Sequence, residues 1–150
     1  MLTVGEAAPA FALPDATGSI VRLKDLRGQK VILYFYPKDN TSGCTKEACA
    51  FQEAQPRIRR KSAVVVGVSA DSTSSHASFA AKFGLRFQLL SDESKGTLQA
   101  YGVWKRKSMY GRSYMGIERT TFVIDEKGKI QHIFPKVSVD GHVDDVLAVL

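Results

Sequence analysis

The sequence is poor in cysteine and has no long apolar run. Its 150 residues include only two cysteines, which cannot build a disulfide framework or a zinc site of four thiolates. No stretch approaches the roughly 18 apolar residues that a membrane-spanning helix requires. Repeats, low-complexity tracts and linkers are also absent. These absences argue against a disulfide-rich scaffold, a membrane span and a repeat protein, and the length favours a single domain over residues 1–150.

Charge of one sign is not concentrated in the chain. There are 21 Lys and Arg against 15 Asp and Glu, for a net charge of +6. The densest basic run, residues 57–61, contains no aromatic residue and directly precedes a predicted strand, which favours a solvated helix end over a nucleic-acid surface. The first six residues lack the basic start and apolar run of a signal peptide. We therefore expect a cytoplasmic protein, with no membrane partner and with nucleic acid disfavoured as a ligand.

The apolar runs and turn residues that are present predict an α/β fold. Two continuous apolar runs are typical of strands buried on both faces, and strand, helix, strand in that order implies a parallel crossover. Together with an N-terminal β-hairpin, they predict a mixed central sheet flanked by helices. The predicted elements are a hairpin (11–13 and 19–23), strands at 31–36, 63–69 and 87–90, a helix from Thr41 to about Arg60 that is disturbed near Pro56, helices at 74–83, 94–100 and 140–150, a loop at 104–118, and a second hairpin (119–124 and 129–134).

The chemistry concentrates at Cys44, in a segment that follows a buried strand and opens a helix. Thr41 is a preferred N-cap residue. With Thr41 as the cap, Cys44 lies in the first helical turn, among backbone N–H groups that have no intrahelical partner. These groups and the helix dipole favour a thiolate over a thiol, and the thiolate is the nucleophilic form.

The second cysteine, Cys49, lies five residues after Cys44 in the same predicted helix. Residues five apart in an ideal helix are separated by about 8.7 Å between Cα atoms, whereas a disulfide needs less than about 7 Å. The two cysteines could therefore bond only if the helix unwinds locally. On this spacing alone, two unrelated buried cysteines are the favoured interpretation.

The residues around this pair resemble a known family. The pattern P-x3-T-x2-C is present as Pro37, Thr41 and Cys44, and the spacing of Cys44 and Cys49 is that of one subfamily. The chain resembles a peroxiredoxin of the bacterioferritin comigratory protein type, also called peroxiredoxin Q. Ser42 stands where members often carry proline. Similar blocks extend over nearly the whole chain, at 5–14, 101–104, 109–111, 119–125 and 141–143.

The resemblance implies a thioredoxin-like fold and thiol-dependent reduction of hydrogen peroxide and organic hydroperoxides. Cys44 would be the peroxidatic cysteine and Cys49 the resolving one, joined in an intramolecular disulfide after the reaction. Thr41 would hydrogen-bond the thiolate and peroxide, Pro37 would shield the pocket, and Arg119 would supply the active-site cation. Thioredoxin or a similar dithiol would recycle the disulfide in antioxidant defence. No metal, flavin or haem would be needed, and an intramolecular resolving cysteine favours a monomer.

Two other interpretations stay open on the sequence. A redox-sensing chaperone or DNA-associated factor with a thioredoxin fold would use the basic surface instead of catalysis. A Cys–His hydrolase is disfavoured because His76, His132 and His142 follow no ligand spacing. We expect each histidine to be a surface or partly buried residue, and Trp104 with the nearby tyrosines to serve packing.

Overall fold

A five-stranded mixed sheet forms the centre of the protein. The computed structural model describes residues 1–150, and no helix in it is long and apolar enough to cross a membrane. The elements in chain order are β1 (Ala12–Pro14), β2 (Ile20–Arg22), a 3-10 turn (Leu23–Leu26), β3 (Lys30–Phe35), α1 (Ser42–Glu53), α2 (Gln55–Arg60), β4 (Ala63–Ser69), α3 (Thr73–Phe83), β5 (Gln88–Ser91), α4 (Gly96–Ala100), β6 (Trp104–Met109), β7 (Arg112–Ile117), β8 (Thr120–Ile124), β9 (Ile130–Phe134) and α5 (His142–Ala148).

The strand order in the sheet is β5-β4-β3-β8-β9. The neighbours β3 and β4 run parallel, as do β4 and β5, whereas β8 is antiparallel to both β3 and β9. β1 and β2 form a separate antiparallel hairpin. The structure thus confirms the predicted mixed sheet and N-terminal hairpin, and most predicted elements lie within a residue or two of the observed ones.

The central strand β3 is buried on both faces, as its unbroken apolar run predicts. Val31, Leu33 and Phe35 point into one hydrophobic cluster, together with the N-terminal hairpin and β5. Ile32 and Tyr34 point into a second cluster on the opposite face, where α1 and α5 pack. Because β3 is covered on both sides, the chain that leaves its carboxyl end is held between the two layers.

The long helix predicted from Thr41 to Arg60 is divided in two. α1 ends at Glu53, and α2 begins at Gln55, with Pro56 in its first turn. Proline is tolerated there because the first N–H groups of a helix have no intrahelical acceptor. The cations Arg57, Arg59 and Arg60 lie exposed at the end of α2, which confirms the helix-end interpretation of this basic run.

The loop predicted at residues 104–118 is wrong, because β6 and β7 pair into a hairpin outside the main sheet. Met109 pairs with Arg112, so the turn consists of Tyr110 and Gly111, which have φ values of 50° and 76°. Two consecutive residues with positive φ match the twist that a two-residue hairpin turn requires. The two strands lack an alternation of apolar and polar residues because most of their side chains face solvent. Only the cross-strand pairing orders them.

Candidate active site

Cys44 lies where β3 delivers the chain into α1. The helix begins at Ser42 after Thr41, so the predicted helix start is confirmed and Cys44 is the third helical residue. Its side chain is only 2% exposed and belongs to the hydrophobic cluster beneath α1. The sulfur is therefore both shielded from bulk water and close to the free N–H groups of the first turn.

Arg119 reaches Cys44 from the start of β8, the strand next to β3. β8 pairs antiparallel with β3, with Thr120 opposite Phe35, so the residue before β8 lies beside the carboxyl end of β3. The Nη2 atom of Arg119 is 3.3 Å from the sulfur of Cys44. A guanidinium stays charged at any working pH and stabilises negative charge on the sulfur and on a departing oxygen.

Glu47 completes this group, and nothing in the sequence analysis singled it out. Its Oε1 atom accepts a 2.6 Å hydrogen bond from Nη1 of Arg119, and its side chain is almost fully buried. Burial raises the pKa of Glu47 to about 7 although Arg119 opposes the shift. The available signal was its position three residues after Cys44, which puts both side chains on one helix face.

The guanidinium of Arg119 thus bridges two buried groups, one on each side of its fork. Its pKa is raised: burial alone would lower it, but Glu47 and Cys44 outweigh that effect. Gly43 borders the same fork, since a Cβ atom placed there would lie 3.3 Å from Nη2 of Arg119. The close approach of Arg119 to the helix start therefore depends on the missing side chain at position 43.

The remaining predicted site residues, Cys49, Pro37 and Thr41, lie in α1 or in the segment that precedes it. Cys49 lies half-buried in the uninterrupted α1, and neither cysteine is in a disulfide. Pro37 is half-buried, two residues after the end of β3. The Thr41 side chain makes no capping bond to the helix, and instead its hydroxyl donates to the carbonyl oxygen of Lys38 at 2.9 Å.

Two of the three histidines are more buried than expected. His76 is 0% exposed and His142 is 4% exposed, so the expectation of surface or partly buried histidines holds only for His132. The difference arises because each buried ring finds polar partners inside the fold: His142 bonds the hydroxyl of Thr121, and His76 bonds Asp39 and a backbone carbonyl. Neither ring forms a hydrogen bond with Cys44.

A mixed sheet between helices and a buried cysteine beside a guanidinium at a helix start define a thiol-based oxidoreductase with a thioredoxin-like fold. The chain is 51% identical to a putative peroxiredoxin Bcp of Coxiella burnetii over 146 residues, which are 97% of each chain. It is 42% identical to the peroxiredoxin Bcp of Bacillus subtilis, over 99% of this chain and 95% of that one. The AhpC/TSA family matches residues 4–133, and the chain belongs to this family as a peroxiredoxin of the bacterioferritin comigratory type.

Solved structures agree with this membership. A variant of PrxQ from Xylella fastidiosa superposes with a TM-score of 0.93 at 37% identity, covering 99% of this chain and 94% of that one. The bacterioferritin comigratory protein of Xanthomonas campestris, described with alkyl peroxide reduction activity, gives a TM-score of 0.88 at 40% identity, over 92% and 88% of the two chains. The expected thioredoxin-like fold is confirmed, and the protein is a thiol-dependent peroxidase.

Proposed function

We propose that Cys44 is the peroxidatic nucleophile. The contact that supports this assignment is the 3.3 Å approach of Arg119 to its sulfur in the first turn of α1. The thiolate attacks the hydroxyl-bearing oxygen of a hydroperoxide, so an S–O bond forms and the O–O bond breaks. The second oxygen leaves as an alkoxide or hydroxide and takes up a proton to become alcohol or water. Cys44 is thereby oxidised by two electrons to a sulfenic acid.

Cys49 is the proposed resolving cysteine. Its sulfur attacks the sulfur of the Cys44 sulfenic acid, an S–S bond forms, and the S–O bond breaks with loss of water. Both cysteines lie in one continuous helix, in which such a spacing keeps the Cα atoms about 8.7 Å apart. Resolution therefore requires the start of α1 to unwind.

Thr41 and Pro37 are proposed to complete the peroxide pocket. Because the Thr41 hydroxyl donates its proton to Lys38, its oxygen lone pairs remain free to accept a hydrogen bond from the peroxide hydroxyl. In this arrangement Thr41 does not donate to the thiolate, a bond that would require its hydroxyl to leave Lys38. Pro37 has no N–H to compete for the peroxide, and its half-buried ring lies in the loop before α1.

The proposed cycle closes with an external dithiol. A thioredoxin-type protein supplies two electrons by thiol–disulfide exchange, which regenerates both thiols and leaves the reductant as a disulfide. We further propose that residues 1–150 act as a single domain, as a monomer in the cytoplasm, with hydrogen peroxide and organic hydroperoxides as substrates in antioxidant defence. Nucleic acid has no part in this cycle.

A peroxide-consumption assay tests these assignments. The protein is mixed with thioredoxin, thioredoxin reductase and NADPH, and NADPH loss is followed after peroxide is added. We expect turnover by the wild-type protein and none by Cys44→Ser, since a serine hydroxyl is far less ionised than a thiol. Intact-mass analysis of the wild-type protein, treated with peroxide in the absence of the reductant, should show the loss of two hydrogens.

Turnover by Cys44→Ser at the wild-type rate would show that another group is the nucleophile. Turnover with a small dithiol but not with thioredoxin would retain the peroxidatic role of Cys44 and reject thioredoxin as the reductant. A peptide map that joins Cys44 to anything other than Cys49 would reject the resolving role.

A further inference from the structure

Behind the loop that precedes α1 lies a buried polar cluster that the proposed reaction does not use. We call residues 37–41 the entry loop, because together with Tyr36 they connect β3 to the helix that carries Cys44. Asp39 in this loop is 7% exposed, and His76 of α3 is fully buried. Side-chain atoms of Asp39, His76 and Asp71 lie within 4.8 Å of one another. The entry loop is therefore attached to α3 and to the segment after β4 by polar side chains.

Both ring nitrogens of His76 have a partner inside the fold. The Nε2 atom lies 2.9 Å from the carbonyl oxygen of Leu90 in β5. The Nδ1 atom lies 2.7 Å from Oδ2 of Asp39 in the entry loop. The buried ring therefore connects the entry loop to the main sheet.

The surroundings of Asp39 keep it ionised. Burial raises the pKa of Asp39, but hydrogen bonds from His76, Tyr36 and Ser75 outweigh burial and lower it. The Tyr36 hydroxyl donates at 2.6 Å and the Ser75 hydroxyl at 2.8 Å. Hydrogen bonds to its two oxygens therefore favour the ionised form of the Asp39 carboxyl group.

The other charged groups around the pair make hydrogen bonds of their own. Asp71, which follows β4, accepts from the backbone N–H of Asp39 at 2.9 Å and from the Ser69 hydroxyl at 2.6 Å. From β5 only the Leu90 carbonyl meets the ring, and the next carboxylate, Asp92, accepts from a backbone N–H in α4. Lys82 of α3 lies outside the entry loop and donates to Asn40.

The entry loop is held in a conformation that needs such support. Asn40, between Asp39 and the residue before α1, has a φ of 60°. A non-glycine residue adopts this left-handed conformation at a cost, which the surrounding contacts must offset. On one side of Asn40, Asp39 is bonded through both its carboxylate and its N–H, and on the other side Thr41 donates to Lys38.

We propose that the hydrogen-bonded pair of His76 and Asp39 positions the entry loop and thereby sets where α1 begins and where Cys44 meets Arg119. The proposal rests on the assignment of Cys44 as the peroxidatic nucleophile. His76 and Asp39 are positioning residues that touch neither sulfur nor peroxide.

The test compares the single variants His76→Gln and Asp39→Asn with the double variant. Single-turnover oxidation of Cys44 by hydrogen peroxide is followed by mass spectrometry well below the unfolding temperature of each variant. We expect each single variant to react about tenfold more slowly, because small displacements of reacting groups are costly. The double variant should react faster than the product of the two single effects, because both single variants remove the same hydrogen bond.

A matched control separates positioning from general stability. His142→Gln removes a similarly buried histidine that bonds Thr121 and not the entry loop. It should unfold more easily but oxidise Cys44 at the wild-type rate. The pH profile of Cys44 alkylation by iodoacetamide should shift in the His76 and Asp39 variants and stay unchanged in this control. Equal oxidation rates and equal profiles in all of these variants would overturn the proposal.

Another variant applies if the His76 and Asp39 variants fail to fold. Ser75→Ala removes one donor to Asp39 but keeps the bond between Asp39 and His76, and should slow Cys44 oxidation to a smaller extent. An unchanged rate in Ser75→Ala would overturn the proposal. Peroxide reduction that survives Cys44→Ser would instead overturn the proposed function.

Discussion

At the scale of single residues, Arg119 is distinguished by a guanidinium that donates hydrogen bonds to two buried groups, Glu47 and Cys44. One nitrogen donates to Glu47 at 2.6 Å and the other to Cys44 at 3.3 Å. The pairing with Glu47 fixes the plane of the guanidinium, and the plane fixes the donor that faces the sulfur. The buried side chain of Glu47 therefore orients Arg119.

The first prediction concerns the loss of this fork. Arg119→Ala should slow the oxidation of Cys44 by peroxide about 10²–10³-fold, which is typical for the loss of one preorganised donor. Arg119→Lys should lie between Ala and wild type, because an ammonium keeps the charge but cannot hold both partners in one plane. Stopped-flow or quenched mass spectrometry measures the rates. If Arg119→Ala reacts as fast as wild type, the cation has no role in the reaction.

The second prediction concerns Gly43. A methyl group there would lie 3.3 Å from Nη2 of Arg119, so Gly43→Ala should displace the guanidinium and slow Cys44 oxidation about tenfold. Gly96→Ala is the matched control, because its added Cβ atom meets only the Ser94 hydroxyl at an ordinary 3.7 Å. The comparison uses the same single-turnover assay. Identical rates for the two variants would mean that Arg119 adjusts without loss.

At the scale of elements, α1 both activates Cys44 and separates it from Cys49. The helix is continuous from Ser42 to Glu53, so bond formation between the cysteines must break hydrogen bonds near its start. Unwinding removes Cys44 from the free N–H groups of the first turn. The same movement would therefore protect the oxidised sulfur and turn off its activation.

The third prediction is a change in local stability with redox state. Amide hydrogen exchange over residues 43–51 should be slow in the reduced protein and fast in the disulfide form, with roughly two helical turns melted. Cys49→Ser should react once with peroxide, stop at the sulfenic acid, and proceed to sulfinic acid with excess peroxide. Hydrogen exchange with mass spectrometry measures the first effect and intact mass the second.

A different hydrogen-exchange result would contradict the unwinding of α1. Equal protection in the two redox states, with a mapped Cys44–Cys49 bond, would mean that the helix does not need to unwind. Cys49→Ala serves as the control for side-chain polarity and should behave as Cys49→Ser does.

At the scale of the whole molecule, His142 connects α5 to the sheet and to α1. Its Nε2 atom shares a 2.8 Å hydrogen bond with the Thr121 hydroxyl of β8, and its ring packs edge-on against Phe51 of α1 and Phe134 of β9. Burial lowers the pKa of His142 from 6.5 to about 4. The folded protein therefore holds this ring neutral at pH values where the unfolded chain protonates it.

The fourth prediction follows from the sign of that shift. The contribution of His142 to stability is complete above pH 6.5 and is lost progressively as the pH falls towards 4. Between pH 7 and pH 5, wild type should lose about 2 kcal/mol more of its free energy of unfolding than His142→Gln does. Urea unfolding at both pH values measures this difference. Since both proteins share all other titrating groups, equal losses would mean that His142 titrates alike in the folded and unfolded chains.

The sequence by itself determined the elements whose signals are local. The buried strands β3 and β4 follow from unbroken apolar runs, and the break between α1 and α2 follows from Pro56. The position of Cys44 in a first helical turn follows from its distance to Thr41. These features depend on residues within one turn or one strand, so neighbouring residues suffice to specify them.

Only the tertiary structure decided which distant side chains meet. The contact of Arg119 with Cys44 spans 75 residues of sequence and exists because β8 pairs with β3. The burial of Glu47 and the hydrogen bond of His76 with Asp39 likewise depend on what packs over each residue. The β6–β7 hairpin escaped prediction because cross-strand pairing, and not a buried face, orders its strands. Such contacts form between residues far apart in the chain, and no local pattern of side chains encodes them.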